Sequence, residues 1–139
     1  MENTTLKFEL CSPGRELVEY EIREAVIPGE SGVFTVYPGH TPTLSTLIPG
    51  VLTIRDASDA EHFFAVHGGF VEVREDAIRI LADTFEAQED IDKERAEADL
   101  EQARELLRRP ADSIEFARAE VALARATARL RASARHSYH

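Results

Sequence analysis

Glycine disappears halfway along this chain. All seven glycines (14, 29, 32, 39, 50, 68 and 69) lie within the first 69 of 139 residues. Five of the six prolines also precede residue 86, and only Pro110 follows it. Alanine supplies 13 of the last 54 residues. Glycine and proline punctuate strands and turns, whereas a glycine-free, alanine-rich tract favours helix. The chain therefore divides near residues 86–90, giving an expected first domain over 1–87 and a second over 88–139.

The first part alternates apolar and polar residues in short pieces. Leu6, Phe8 and Leu10 alternate with Lys7, Glu9 and Cys11, and Val18, Tyr20 and Ile22 with Glu19, Glu21 and Arg23. VLTIR (51–55), HFFAVH (62–67), FVEV (70–73) and IRILA (78–82) continue the pattern. Turn signals such as SPG, PGESG, YPG, IPG and HGG separate these pieces. Many short strands without helices between them predict an antiparallel two-sheet β-sandwich, with apolar residues facing a shared core.

The second part predicts two antiparallel helices, over about 91–108 and 113–134. Acidic residues gather at the start of the first and Arg108 and Arg109 at its end, which suits the helix dipole. Pro110 stops it, and Asp112 with Glu115 has capping-box spacing for the second. The fold class is thus α+β, a sandwich followed by a helical hairpin. Ile114, Ala117, Val121, Ala124 and Ala128 form the expected apolar stripe of the second helix. Small residues bury little area, so the hairpin is expected to be marginally stable and loosely attached to the sandwich.

Charge narrows the class of partner. The formal net charge of −10 disfavours general nucleic-acid binding, which needs clustered Lys and Arg. Within the tail the charge is uneven. Residues 86–112 carry ten acidic and five basic side chains, and residues 113–139 carry two and five, so the arms stand at −5 and +3. Cys11 is alone and cannot form an internal disulfide, which suits a reducing compartment. MENTTLKFEL has no secretory pattern, and no apolar run reaches the roughly 20 residues of a bilayer span. Any membrane association would run through other subunits.

Motifs for catalysis are absent. There is no nucleophile elbow, P-loop, dinucleotide-binding glycine pattern or zincin helix. His62 and His67, five apart on a predicted strand, point to opposite faces and make poor joint metal ligands. His136 and His139 lie in the tail. One constellation stands out. Arg118, Arg125 and Arg129 fall within about 40° on one helix face. Either they pair with the acidic first arm, or they hold a phosphate-bearing ligand between the arms. Asp92 and Arg95 occupy neighbouring faces of the other arm.

Three longer motifs carry a family resemblance. They are PGHTPTLSTLIPGVLTI (38–54), HGGFVEV (67–73) and ILADTFEAQEDID (80–92), followed by the alanine-rich hairpin. In this order the chain resembles the epsilon subunit of bacterial F-type ATP synthase (delta in mitochondria) over nearly its whole length. The resemblance implies a central-stalk rotor subunit whose sandwich packs on the gamma subunit and the c-ring. It places that interface at Ser31, Val33, Tyr37 and His40. His40 sits in a corner marked by three prolines and two glycines over residues 37–50. A stiff, torque-bearing contact and a plain hydrogen-bonded turn both account for it. The resemblance further implies that the hairpin, when extended, reaches the alpha/beta catalytic head and inhibits ATP hydrolysis, and that ATP binds the folded hairpin in some members. IDKERA (91–96) matches the ATP motif, giving Ile91, Asp92, Arg95 and Ala96 as candidates, and Glu86, Arg125 and Arg129 align with further contacts. No cofactor is required, ATP being a possible regulator. The implied location is peripheral, on the cytoplasmic face of the inner membrane.

Two departures from the family pattern stand at residues 32–36, GVFTV, where an acidic contact is absent at Val33 and Thr35 replaces a glycine. Phe85 replaces a common alanine at the hinge and is expected to anchor the folded hairpin. The competing reading is a free-standing nucleotide-binding module, which would need no synthase partner.

Overall fold

A computed structural model describes residues 4–136; His139 lies outside them. Nine strands precede two helices: β1 (Leu6–Cys11), β2 (Val18–Gly29), β3 (Gly32–Val36), β4 (Thr43–Leu47), β5 (Gly50–Asp56), β6 (Glu61–Val66), β7 (Gly69–Val73), β8 (Ala77–Ala82), β9 (Phe85–Ala87), α1 (Lys93–Arg108) and α2 (Ser113–Ser133). The fold is the expected one, a sandwich followed by a helical hairpin.

The strands form where period two places apolar side chains inward. Leu6, Phe8 and Leu10 of β1 and Ile80 of β8 are wholly buried, while Lys7 and Arg79 between them are exposed. Successive hydrogen-bonded neighbours run β1-β8-β7-β4-β2-β5-β6-β9, with β3 on β2. β2 belongs to both layers. Its first half pairs with β1, its middle with β5, and Gly29 at its end with Leu47 of β4. A register shift between Ile22 and Glu24 lets it bend from one layer to the other. All pairings are antiparallel except β1 with β8. The core between the layers holds Phe8, Ile22, Ile27, Leu52, Ile54, Phe64 and Ile80, among others. Each such side chain contributes about 1.5–3 kcal/mol by leaving water.

Both helices have side-chain caps. The Asp92 carboxylate accepts from the Arg95 N–H at 3.1 Å, and that of Asp112 from the Glu115 N–H at 2.8 Å. Each satisfies one orphan N–H of the first turn. Pro110 and the extended Arg109 separate the arms.

The packing of α2 differs from the expected stripe. Of Ile114, Ala117, Val121, Ala124 and Ala128, only Ala128 is buried; Ile114 is 64% and Val121 47% exposed. The stripe does lie on one face, which at about 100° per residue also includes Ala132. Its last turns, Ala128 and Ala132, sit on Ala65 of β6, flanked by Val51 and Ile91. Its first turns overhang the sheet, because a 21-residue helix is about 30 Å long and outreaches the strands beneath it. On the opposite face of α2, Ala119 and Ala126 are buried at heptad spacing, as are Ala96 and Ala103 of α1. Alanine therefore forms both the arm-to-arm seam and the arm-to-sheet seam.

Truncation should separate the two kinds of packing. Phe8→Ala should cost about 3–5 kcal/mol of global stability, and Ala103→Gly about 1 kcal/mol confined to the helices. Urea titration followed by near-ultraviolet and helix signals checks this; equal costs would contradict the asymmetry.

Candidate functional site at the hairpin hinge

The site is built where the last strand leaves the sandwich. β9 pairs with β6 through Val66–Phe85, Ala65–Glu86 and Phe64–Ala87. Phe85 points into the core, 2% exposed, edge-on to Phe64 at 6.3 Å between ring centres. The Arg15 guanidinium lies over its other side and donates to its carbonyl. Phe85 thus pins the hinge strand to the sandwich. The hairpin is held by the residues that follow.

Strand alternation turns Glu86 outward, where it accepts a hydrogen bond from Arg129 Nε of α2 at 2.5 Å. Gln88, in the 3₁₀ turn Gln88–Asp90, donates its amide to the carbonyls of Ala132 and Arg135 at 2.8 and 2.7 Å. The first carbonyl is in the last turn of α2, where it also accepts from the Arg135 N–H, and the second is two residues past the helix, so Gln88 ties down the helix end from outside. Sequence reasoning missed this role, since a capping partner 44 residues away leaves no local signal.

His67 lies just past β6 with a fully buried side chain. Strand alternation gives its ring the same outward face as Ala65, on which α2 rests. The local backbone is tightly fixed. Gly69, at φ 119°, passes so close to β8 that a Cβ there would collide with the Leu81 carbonyl. The His67 N–H donates to the Thr84 carbonyl at 3.0 Å. Neither ring nitrogen has a hydrogen-bond partner, and Nε2 stands 3.6 Å from Glu86 Oε1. Burial, reinforced by the Arg129 charge, pushes the imidazole down to about 4 against the upward pull of Glu86. The ring is neutral at pH 7. His62, facing the other way, bonds to Asp56 at 2.8 Å and stacks on Tyr20. Burial, with the Glu89 and Asp56 charges nearby, pushes the Tyr20 hydroxyl up, so it stays protonated and is no nucleophile.

Five of the seven candidate ligand residues converge. Glu86, Asp92, Arg95, Ala96 and Arg129 line one cleft of about 300 Å³, together with Asp90 and Asp99. Arg125 lies in an adjoining cleft of about 680 Å³ between the helices, which also holds Arg109, Arg118, Asp99 and Arg129. Ile91 belongs to neither, because its side chain packs into the alanine seam with Ala65. The arginine stripe pairs with the acidic segment 86–112 only through Arg129, among the described residues. Among the described residues no ion pair joins α1 to α2, and Arg129 pairs with Glu86 of β9 instead. Arg118 and Arg125 are left facing the larger cleft without a carboxylate partner. One end of the combined groove is acidic, suited to amino and hydroxyl donors. The other is cationic, suited to phosphate oxygens.

The four predicted interface residues lie along β3 and the corner that follows it, with Ser31 before one end of the strand and Tyr37 and His40 beyond the other. Ser31 is in the β2–β3 turn, Val33 is 71% exposed on β3, and Tyr37 is 56% exposed after it. His40 is half-buried and donates Nδ1–H to the Thr41 carbonyl at 2.7 Å, while the Gly39 N–H bonds to the Glu75 carbonyl at 3.0 Å. The corner is internally braced.

Sandwich, pinned hinge and docked two-helix arm define a class of protein in which a β-sandwich carries a C-terminal α-helical hairpin. The chain matches "ATP synthase, Delta/Epsilon chain, beta-sandwich domain" over residues 5–88 and the "long alpha-helix domain" of the same chain over residues 89–134. It is 43% identical to the ATP synthase epsilon chain of Solibacter usitatus, covering 91% of this chain and 93% of that one. It is 41% identical to that of Moorella thermoacetica, covering 93% and 96%. In structure it is similar to a chain of the Euglena gracilis mitochondrial ATP synthase, with a TM-score of 0.84 at 24% identity, over 94% of this chain and 82% of that one. The chain belongs to the ATP synthase delta/epsilon chain family.

Gln88→Ala should fray the last turn of α2. Losing these hydrogen bonds is worth about 1 kcal/mol, or roughly fivefold in local opening. Trypsin cleavage after Arg131 in the full chain should accelerate accordingly, and an unchanged rate would remove Gln88 from the hinge.

Proposed function

We propose that this protein is a rotor subunit in the central stalk of a proton-translocating F-type ATP synthase, coupling the catalytic head to the c-ring. The carrying observation is membership of the delta/epsilon family over residues 5–134, together with an exposed strand that leads into a braced corner. This edge, from Ser31 through Val33 to Tyr37 and His40, meets the gamma subunit and the c-ring. Exposed apolar Val33 and Tyr37 suit a protein partner. The solved relatives come from assemblies described as OSCP/F1/c-ring and central stalk/c-ring. None of the described helices is long and apolar enough to cross a membrane. On this reading the chain attaches through other subunits, on the cytoplasmic face of the inner membrane.

The hairpin is the regulatory element. Docked on the sandwich it leaves rotation free, and released it extends toward the alpha/beta head and inhibits ATP hydrolysis. ATP is the ligand proposed for the groove at the hinge. Its base and ribose lie toward Glu86, Asp92, Arg95 and Ala96, and its phosphates toward Arg125 and Arg129. Such a ligand favours docking only insofar as it binds the docked form better.

Two measurements test this. Deleting residues 88–139 should leave the chain associated with gamma and raise ATP hydrolysis by the assembled enzyme; unchanged hydrolysis would remove the inhibitory role. Calorimetric titration of the isolated chain with ATP should show saturable binding, weakened roughly tenfold or more by Arg125→Ala, the scale of a lost charge-assisted hydrogen bond. Equal affinity in both would place ATP elsewhere.

A further inference from the structure

The least satisfied buried group in the described chain is the His67 ring. Its side chain is fully buried, and neither nitrogen has a hydrogen-bond partner. A neutral imidazole carries one N–H donor and one acceptor, and leaving both without partners in a dry site is unfavourable. Its surroundings come from two elements that meet only when the hairpin is docked. β9 supplies Glu86, whose Oε1 lies 3.6 Å from His67 Nε2 but accepts its hydrogen bond from Arg129. α2 supplies Arg129 and Arg125, two cations that oppose a third. The ring is therefore sealed by the contact surface that must open for the hairpin to leave.

We propose that His67 is a proton-sensitive latch, with the neutral ring compatible with the docked hairpin and the protonated ring favouring its release. Protonation places a cation in a buried position beside two guanidinium groups, with only one carboxylate to offset it. Release removes both arginines and admits water, after which the charged ring is hydrated. The proton is taken from solvent and held on the imidazole, and no other bond changes.

Direction and window follow from linkage. In the docked form the ring titrates at about 4, lowered first by burial and then by Arg129. Once released it returns toward its ordinary 6.5. A depressed histidine favours docking above the released value and opposes it as pH falls from there toward the docked value. Docking should weaken about tenfold between pH 7.5 and 5.5. This inference rests on the proposed reading that the hairpin leaves the sandwich.

The test measures opening in the full chain. Ala128→Cys, in a Cys11→Ser background, places a thiol in the docking seam. Its labelling by 4,4′-dithiodipyridine, which reacts in acid, is normalised to the same chain denatured. Ala82→Cys in the sandwich core reports global unfolding. The latch predicts that protection of the seam thiol falls about tenfold from pH 7.5 to 5.5, ahead of the core, and that His67→Gln flattens this dependence. A pH dependence unchanged by His67→Gln, or none in the parent, overturns the latch while leaving a mobile hairpin intact. Equal protection at seam and core at every pH means the hairpin does not leave separately, which overturns that reading and the latch with it. Should His67→Gln not fold, the Cε1–H resonance of His67 in the parent decides. A midpoint near 4 supports the latch and one near 6.5 contradicts it.

Discussion

The docking of α2 on the outer face of β5 and β6 is the contact on which the regulatory half of this molecule depends. Its apolar part is three small side chains, Ala65, Ala128 and Ala132, with Val51 and Ile91 at the margin. Its polar part is the Glu86–Arg129 pair and the two bonds donated by Gln88. An alanine methyl removes little surface from water, so the seam contributes a fraction of what one buried leucine or phenylalanine contributes in the core. The polar contacts are specific in geometry but partly solvated, and each adds modestly. The contact therefore defines one docked arrangement without making it irreversible.

The sandwich is built on the opposite principle. β2 threads both layers and pairs with β1, β3, β4 and β5, so its displacement would break both sheets at once. Phe85 carries this rigidity up to the hinge, with Phe64 on one side and Arg15 on the other. One residue later the chain faces outward with Glu86, and its contacts become those of the hairpin. The change from rigid to releasable structure thus occurs within a single strand. A torque-bearing body joined to a movable arm needs that kind of boundary. The hinge groove and the buried imidazole both lie beside it, where, on the proposed reading, small differences in binding or protonation would act on a small docking energy.

How much of this was legible in the sequence follows from which interactions are local. Period two in Leu6–Phe8–Leu10 and the Asp112–Glu115 cap are encoded within a few residues, and both appear as read. The α2 stripe was visible, but its overhang was not, because helix length against sheet width is a tertiary quantity. Arg129 was marked as a site residue, yet its partner proved to be Glu86 on a strand 43 residues earlier. Ile91 sat in the matching motif but turns into the seam, since the 3₁₀ turn before α1 orients it toward Ala65. His67 read only as a strand histidine. The charged groups around it, Arg129, Glu86 and Arg125, come from later elements, and nothing adjacent in the chain announces them.

The central claim is that the hairpin opens independently of a much more stable sandwich. Native-state hydrogen exchange of the full chain, resolved by residue, tests it most directly. Amides of α1 and α2 should exchange through openings at least about 2 kcal/mol less costly than those of β1, β5 and β8, and should depend little on denaturant. A single opening free energy shared by helices and core strands would contradict it, because the hairpin would then be part of one cooperative core.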